Sequence, residues 1–161
     1  MKHKEIIIMS ILLYLAVFTP LNTGLTDEEI RYFHPHHHQY RWLTWEIYSI
    51  VKSECYWQKI DYRIILALID AESNGYKMAT SKSGAVGLMQ VMQFHYRSNR
   101  PERLYEPRRN VHIGCRIFKR YLRRARGNIV YALRNYERGP GGKGFNGRYI
   151  AKIVQNYYGR L

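Results

Sequence analysis

The chain has 161 residues, which is room for one domain and excludes a string of several. Its hydrophobic content of 46% is ordinary for a globular protein, so the chain has the apolar residues for a core. Lys and Arg number 26 against 12 Asp and Glu, which gives a formal charge of +14. This excess is larger than solubility alone requires, and it indicates an anionic partner.

Residues 1–25 have the pattern of an export signal. Lys2 and Lys4 form a basic start, and residues 6–18 are apolar except for Ser10. An apolar run of this length is typical of a signal peptide and is short for a membrane span, which takes about 20 residues. No clear small-residue cleavage site follows, so an uncleaved N-terminal anchor is the alternative. We expect a periplasmic or secreted protein that contacts a membrane only through an uncleaved leader.

Residues 26–44 show little periodicity and are predicted to be a His-rich linker. Four histidines and a proline occupy positions 34–38, from His34 to His38. Neighbouring histidines without a second cluster of ligands make a poor metal cage. We therefore expect an exposed segment here and no metal site.

A first helix is predicted from Trp45 to near Lys59, and it carries Cys55. The second cysteine, Cys115, lies 60 residues further on. In an exported chain two cysteines can form a disulfide. Buried free thiols are the alternative, because unpaired cysteine is often a small core residue. The sequence leaves both interpretations open.

The best-defined element is a helix between Asp61, a suitable N-cap, and the stop signal Asn74-Gly75. Apolar residues at positions 64–66, 68 and 69 surround this helix on nearly all sides, which predicts central burial. Glu72 then lies in the last turn, where desolvation and the negative end of the helix dipole both raise the pKa of its carboxyl. Such a carboxyl suits a general acid near neutral pH. The alternative is a solvent-exposed glutamate at a helix end.

The rest of the chain is predicted to be helical, with no strand pattern. Gly84 and Gly87 mark a tight passage after the Glu72 helix, which suits either a bound ligand or a close helix crossing. Further helices are predicted over residues 110–124 and 128–136, and a final helix carries Tyr149, Ile150, Ile153, Val154 and Tyr157 on its apolar side. The expected fold is mainly α.

Residues 97–126 form the most basic region. The wetter faces of the helix over residues 110–124 carry Arg116, Lys119, Arg120, Arg123 and Arg124. A charge run of this kind is usually a solvated helix face. The functional interpretation is attraction to a polyanionic envelope polymer through its carboxylates and phosphates, although nucleic acid would satisfy the same charges.

Four segments, in order, resemble the lytic transglycosylases of the soluble, lysozyme-like type. The first is Glu72-Ser73 followed by Ser81-x-x-Gly84-Ala85-x-Gly87-Leu88-Met89-Gln90. The chain continues with Leu104-Tyr105-Glu106-Pro107-x-x-Asn110-Val111-x-x-Gly114, then Tyr131-Ala132-Leu133-x-x-Tyr136-x-x-Gly139-Pro140-Gly141, then Tyr149-Ile150-x-Lys152-Ile153. The ordered set is far more specific than one motif. It implies a mainly α, lysozyme-like domain over residues 45–161.

The resemblance implies an enzyme with one catalytic carboxyl, Glu72, and no metal or organic cofactor. As an acid, Glu72 protonates the oxygen that bridges N-acetylmuramic acid and N-acetylglucosamine in a β-1,4 bond of peptidoglycan. Its carboxylate then takes the proton of the muramyl 6-hydroxyl, which attacks its own anomeric carbon. The product is a 1,6-anhydromuramyl end, and no water is consumed.

The same resemblance implies supporting or substrate-binding roles for Ser73, Ser81, Gly87, Met89, Gln90, Tyr136 and Glu137. Ser73 would hold the geometry of Glu72, and Tyr136 would orient its carboxyl. Gly87, Met89 and Gln90 would line the sugar groove.

Glu137 departs from the family, which typically has Asn after this tyrosine. If Glu137 points into the groove, it is a second carboxylate that could activate water, as in a lysozyme-like hydrolase. If it turns outward, it pairs with an arginine such as Arg134 or Arg138 and has no catalytic role. We expect the outward arrangement, because glutamate is seldom buried without a partner.

Two other functions remain as alternatives to a transglycosylase. One is the hydrolase with Glu137, and the other is a catalytically inactive module that binds cell wall or polyanion. A binding module needs neither Glu72 nor Tyr136, so the sequence favours the enzyme. The expected partner is the peptidoglycan glycan strand rather than nucleic acid. A small domain of this kind suits local wall opening for a secretion or conjugation apparatus.

Overall fold

The computed structural model describes residues 36, 39–96, 98–139 and 146–158. The predicted leader and most of the histidine run lie outside these residues. The chain divides into two compact units, Met1–Ser49 and Ile50–Leu161. Within the described ranges, no helix combines the length and the apolar character that crossing a membrane requires.

The first unit contains only a short described segment. His36 stacks on Tyr48 with ring centroids 5.9 Å apart, and Trp45 lies against the same tyrosine at 5.6 Å. Tyr40 and Leu43 are buried, so this part of the predicted linker is a packed segment rather than an exposed one. Helix α1, Trp45–Gln58, begins in this unit and ends in the second.

The described part of the second unit is mainly helical, as the sequence predicts. It contains the end of α1 and the helices α2 (Tyr62–Ser73), α3 (Pro107–Arg124), α4 (Ile129–Arg138) and α5 (Gly147–Tyr158). Short 3-10 turns occupy Gln93–His95 and Pro101–Tyr105. One element is not predicted from the sequence, an antiparallel pair of two-residue strands, β1 (Ala85–Val86) and β2 (Val91–Met92). Strands this short contain no measurable period-two pattern.

Helix α2 is the central element of this unit. The Asp61 side chain accepts a 3.0 Å hydrogen bond from the Arg63 N–H at its start, and Asn74 adopts the left-handed conformation at its end. The residues between Ile64 and Ile69 are all buried. Helix α2 packs against α5, and α3 packs against α4, which also contacts α5. The predicted caps and burial of this helix are therefore confirmed.

The turn between β1 and β2 is held by Asn110, a fully buried side chain of α3. Its amide nitrogen donates to the carbonyls of Val86 (2.7 Å) and Leu104 (2.8 Å), and its oxygen accepts from the Met89 N–H (2.8 Å). Gly87 has a φ of +77°, and a Cβ there would lie 2.3 Å from the Asn110 nitrogen. Glycine is required at position 87 because the backbone and Asn110 approach so closely.

Candidate active site

Glu72 is the penultimate residue of α2, and its carboxyl is largely enclosed. Burial raises the pKa of Glu72 to about 7, and the charge of Glu137 acts in the same direction. A hydrogen bond from the Tyr149 hydroxyl, 2.5 Å from Glu72 Oε1, opposes this shift. The predicted rise in the pKa of this carboxyl is present, and desolvation is its largest cause.

Ser73 connects the end of α2 to the hairpin turn. Its hydroxyl lies 2.8 Å from the Leu88 carbonyl and 3.3 Å from the Ile69 carbonyl one turn earlier. The contact with Leu88 ties the last turn of α2 to the segment that Asn110 holds. Glu72 therefore sits on a helix end that is anchored on a second element.

Tyr149 contacts Glu72, whereas the sequence predicts that Tyr136 orients the Glu72 carboxyl. The Tyr136 hydroxyl donates to the Met89 carbonyl at 2.7 Å. Burial, together with the nearby charge of Glu72, holds the pKa of Tyr136 well above its usual range. Tyr136 thus lies near Glu72 but supports the turn. The sequence does contain a signal for Tyr149. A tyrosine on the apolar face of a helix is buried, and a buried hydroxyl needs a hydrogen-bond partner.

Met89 does not line a groove with its side chain, contrary to the expectation from the sequence. It is fully buried, and a Cβ at Gly114 of α3 would lie 2.4 Å from its sulfur. Gly114 therefore makes room for Met89 in the core. The main chain of Met89 serves the site instead, because its N–H and carbonyl bind Asn110 and Tyr136.

Two other predicted positions have different environments. Gln90 has a left-handed φ of 47°, and its side-chain amide donates to the Gly87 carbonyl at 3.0 Å. Ser81 accepts a hydrogen bond from the Ala85 N–H at 2.9 Å and lies 3.0 Å from the Ser83 hydroxyl. Gln90 is also part of the lining of a cleft, whereas Ser81 stabilises the loop before β1.

A cleft of about 490 Å³ opens near the Glu72 carboxyl. Its lining includes Gln90, Phe94, Arg120, Tyr136 and Glu137. Glu72 is not part of this lining, but the charges of Glu72 and Glu137 are close enough to interact. The cleft is therefore adjacent to Glu72 and gives a substrate room on that side.

Glu137 is part of the lining of this cleft and is half-buried rather than turned fully outward, although it has the arginine partner that the sequence predicts. Its side chain is 18% exposed, and Oε2 lies 3.5 Å from Arg138 Nε, so the expected arginine is nearby. Oε2 is buried without a hydrogen bond in the described part of the chain, and Oε1 accepts from the Asn146 amide at 2.9 Å. The Asn146 oxygen in turn accepts from the Tyr149 N–H (3.2 Å), so Asn146 joins Glu137 to the residue that contacts Glu72.

Cys55 and Cys115 are both buried thiols, on α1 and α3. The neighbouring Cys55 side chain, followed by burial, holds the pKa of Cys115 well above its usual range. Among the described residues, no group of three or more His, Cys, Asp or Glu side chains converges as a metal site would require.

Comparison with known proteins agrees with this geometry. Residues 49–155 match the transglycosylase SLT domain family. A transglycosylase from Enterobacteria phage PRD1 is 29% identical over 100 residues, which are 60% of this chain and 37% of that protein.

Two solved structures share the fold. An inactive mutant of the lytic transglycosylase Slt from Pseudomonas aeruginosa is 20% identical, with a TM-score of 0.53 over 68% of this chain and 21% of that one. The 70 kDa soluble lytic transglycosylase from Escherichia coli is 24% identical, with a TM-score of 0.52 over 70% of this chain and 19% of that one. This chain thus spans well under half the length of these proteins. With the family match covering most of the chain, it belongs to the transglycosylase SLT domain family, on a lysozyme-like fold.

Proposed function

We propose that this chain is a peptidoglycan lytic transglycosylase. It cleaves the β-1,4 bond between N-acetylmuramic acid and N-acetylglucosamine and leaves a 1,6-anhydromuramyl end. The observation that carries the proposal is Glu72, a buried carboxyl whose pKa is raised to about 7 and whose oxygen accepts a hydrogen bond from Tyr149. Because it titrates near neutrality, this carboxyl can give up a proton and take one back at the same pH. Membership of the family supports the same activity.

The reaction uses Glu72 twice. The protonated carboxyl gives its proton to the bridging oxygen as the bond between that oxygen and the muramyl anomeric carbon breaks. The muramyl 6-hydroxyl oxygen then bonds to the same carbon, and its proton returns to Glu72. Tyr149 donates to the carboxylate while it is charged, which limits the cost of forming a buried anion. No water enters the products.

The direct test replaces Glu72 by Gln and measures the release of muropeptides from purified sacculi. We expect activity to fall on the order of a hundredfold or more, because the general acid is lost. Asp70→Asn is the matched control, since Asp70 lies on the same helix and pairs with Lys152 at 2.9 Å. Near-wild-type release by the Glu72→Gln variant would exclude this mechanism. A module that only binds the wall needs no such carboxyl, and it would release nothing in the wild-type form.

A hydrolase that uses Glu137 as its second carboxylate is the other candidate. The observation in its favour is that Glu137 faces the cleft and influences Glu72. Against it, one Glu137 oxygen is engaged by Asn146 and the other lies near Arg138. Product mass separates the two reactions, because anhydro ends lack one water relative to reducing ends. We expect anhydro products from the wild type and from Glu137→Asn. Reducing-end products from the wild type that disappear in this variant would establish the hydrolase.

We also propose that the protein works outside the cytoplasm, in the periplasm or after secretion. The basic and apolar pattern of residues 1–25 and the location of peptidoglycan support this. Local wall opening for a secretion or conjugation apparatus fits a small catalytic domain. Fractionation of cells that produce the full chain with a C-terminal tag tests export, because a protein that stays in the cytoplasm cannot reach the wall.

A further inference from the structure

One wall of the cleft beside Glu72 carries two unneutralised arginines. Arg120 and Arg124 project from α3 into the cleft lining, one helical turn apart. Positions four residues apart lie on the same face of a helix, so the two guanidinium groups are neighbours. In the described part of the chain, neither has a carboxylate partner. Among the described residues, this wall is therefore a cationic surface.

The other titratable groups of the cleft do not cancel this charge. Glu137 is the acidic residue of the lining, and its carboxyl lies beside Arg138 at 3.5 Å. Burial, and then the charge of Arg120, lower the pKa of His95, so this histidine is neutral near pH 7. The uncompensated charge in the cleft thus belongs to Arg120 and Arg124.

We propose that Arg120 and Arg124 form a subsite for a carboxylate of the peptide stem carried by peptidoglycan strands. The proposal rests on the proposed function for the identity of the polymer. The N-acetylated sugars of the strand are uncharged at their rings, so the carboxylates of this substrate lie on its peptides. Guanidinium groups match carboxylates in geometry and can bind them through two parallel hydrogen bonds.

The position of the cleft explains why a peptide would reach it. Glu137 lies on its lining and is joined through Asn146 to Tyr149, whose hydroxyl contacts Glu72, so a strand placed for cleavage has the cleft beside it. Phe94 is 69% exposed at the cleft and offers an aromatic face on which the apolar part of a ligand can pack. A peptide stem has both an apolar and an anionic part, and the lining provides for both.

The test compares two double variants of the full chain on two substrates. Arg120→Gln with Arg124→Gln removes the subsite, and Arg116→Gln with Arg123→Gln removes the same charge from exposed positions of α3 outside the cleft. The substrates are glycan strands with their peptides and the same strands freed of peptide by an amidase, with the lactyl carboxylate that this cleavage exposes capped as its amide. We expect the ratio of kcat/KM between the two substrates to fall on the order of tenfold in the first variant, for the loss of charge-assisted hydrogen bonds. The control variant should keep the wild-type ratio.

An unchanged ratio in the first variant, or an equal fall in both, would overturn the subsite. A binding measurement on the Glu72→Gln protein tests the subsite independently of the activity. Purified stem peptide should bind this protein and should bind on the order of tenfold more weakly once Arg120 and Arg124 are also replaced. If the wild type cleaves neither substrate but this difference in peptide binding is present, the proposed function fails and the subsite stands. If peptide binding does not change, the subsite fails whatever the activity.

Discussion

The Tyr149 hydroxyl of α5 donates a 2.5 Å hydrogen bond to the Glu72 carboxyl of α2, across 77 residues of sequence. Burial and Glu137 raise the pKa of this carboxyl, and Tyr149 lowers it. The value of about 7 is therefore a balance that depends on the packing of two helices. An acid that must also serve as a base needs this kind of balance.

Removal of the Tyr149 hydroxyl should shift the pH dependence of the enzyme upward. Tyr149 favours the carboxylate, so Tyr149→Phe raises the pKa of Glu72 and moves the alkaline limb of kcat/KM to higher pH. The maximal rate should fall on the order of tenfold, because the anion formed during the reaction loses a charge-assisted hydrogen bond. Tyr157→Phe is the control, since that hydroxyl lies on the same helix but contacts Asp61 at 3.2 Å. A limb that stays in place or moves down would show that Tyr149 does not act on this carboxyl.

Glu72 should reduce the stability of the fold above neutral pH. Its pKa is about 7 in the folded protein against a usual 4.5, so the folded state binds more protons between these values. The contribution of Glu72 to the free energy of unfolding is therefore greatest below pH 4.5 and is lost as the pH rises through 7. At pH 8, Glu72→Gln should have a larger free energy of unfolding than the wild type, by at most about 3 kcal/mol, and should unfold at higher denaturant concentration. This difference should shrink at pH 5. Equal differences at the two pH values would contradict the raised pKa.

Gly87 should be far less tolerant of substitution than Gly84, although both have a positive φ. Gly84→Ala meets nothing within 4 Å, so it should cost only the left-handed conformation, about 1 kcal/mol. Gly87→Ala also drives a methyl group into Asn110 and the Leu104 carbonyl, and it should cost roughly 3 kcal/mol or more. Denaturant unfolding of the two variants measures the difference. Similar losses would mean that the Asn110 contact does not control the turn.

Cys55 and Cys115 should join when the protein folds in an oxidising compartment. Both thiols are buried and Cys55 raises the pKa of Cys115, so the two are neighbours. The His112–Glu54 pair (2.9 Å) and the bond from Lys119 to the Lys59 carbonyl (2.8 Å) hold α1 beside α3. A thiol–disulfide oxidoreductase would accept the two electrons while the thiols release two protons. Closure of a loop of this length stabilises a fold by about 4 kcal/mol in the chain-entropy estimate.

Intact mass and peptide mapping without reductant test the cross-link. The protein isolated from the periplasm should lack two hydrogens relative to its reduced form and should yield one peptide pair linked through these cysteines. Cys55→Ala is the control, and it should unfold at lower denaturant concentration than the oxidised wild type. Recovery of two free thiols from periplasmic protein would contradict the cross-link and show that both cysteines are reduced core residues.

The sequence by itself determined helix α2 and the carboxyl proposed to be catalytic, Glu72. The signals for α2 are local, because Asp61 caps its start, Asn74 ends it and the apolar residues between them cover nearly all of its sides. The pKa of Glu72 follows from that burial, so its direction could be predicted without tertiary contacts. The ordered motifs identified the family for the same reason, since each is a short stretch of sequence.

Only the tertiary structure decided which side chains meet Glu72. Tyr149 and Tyr136 both belong to apolar helix faces, and nothing local distinguishes the hydroxyl that reaches the carboxyl from the one that reaches Met89. Met89 was predicted in the groove and lies in the core, because Gly114 on another element leaves space for it. Glu137, in the cleft lining, is held by Asn146 and Arg138. These outcomes depend on contacts between residues far apart in the chain, and periodicity and capping carry no information about such contacts.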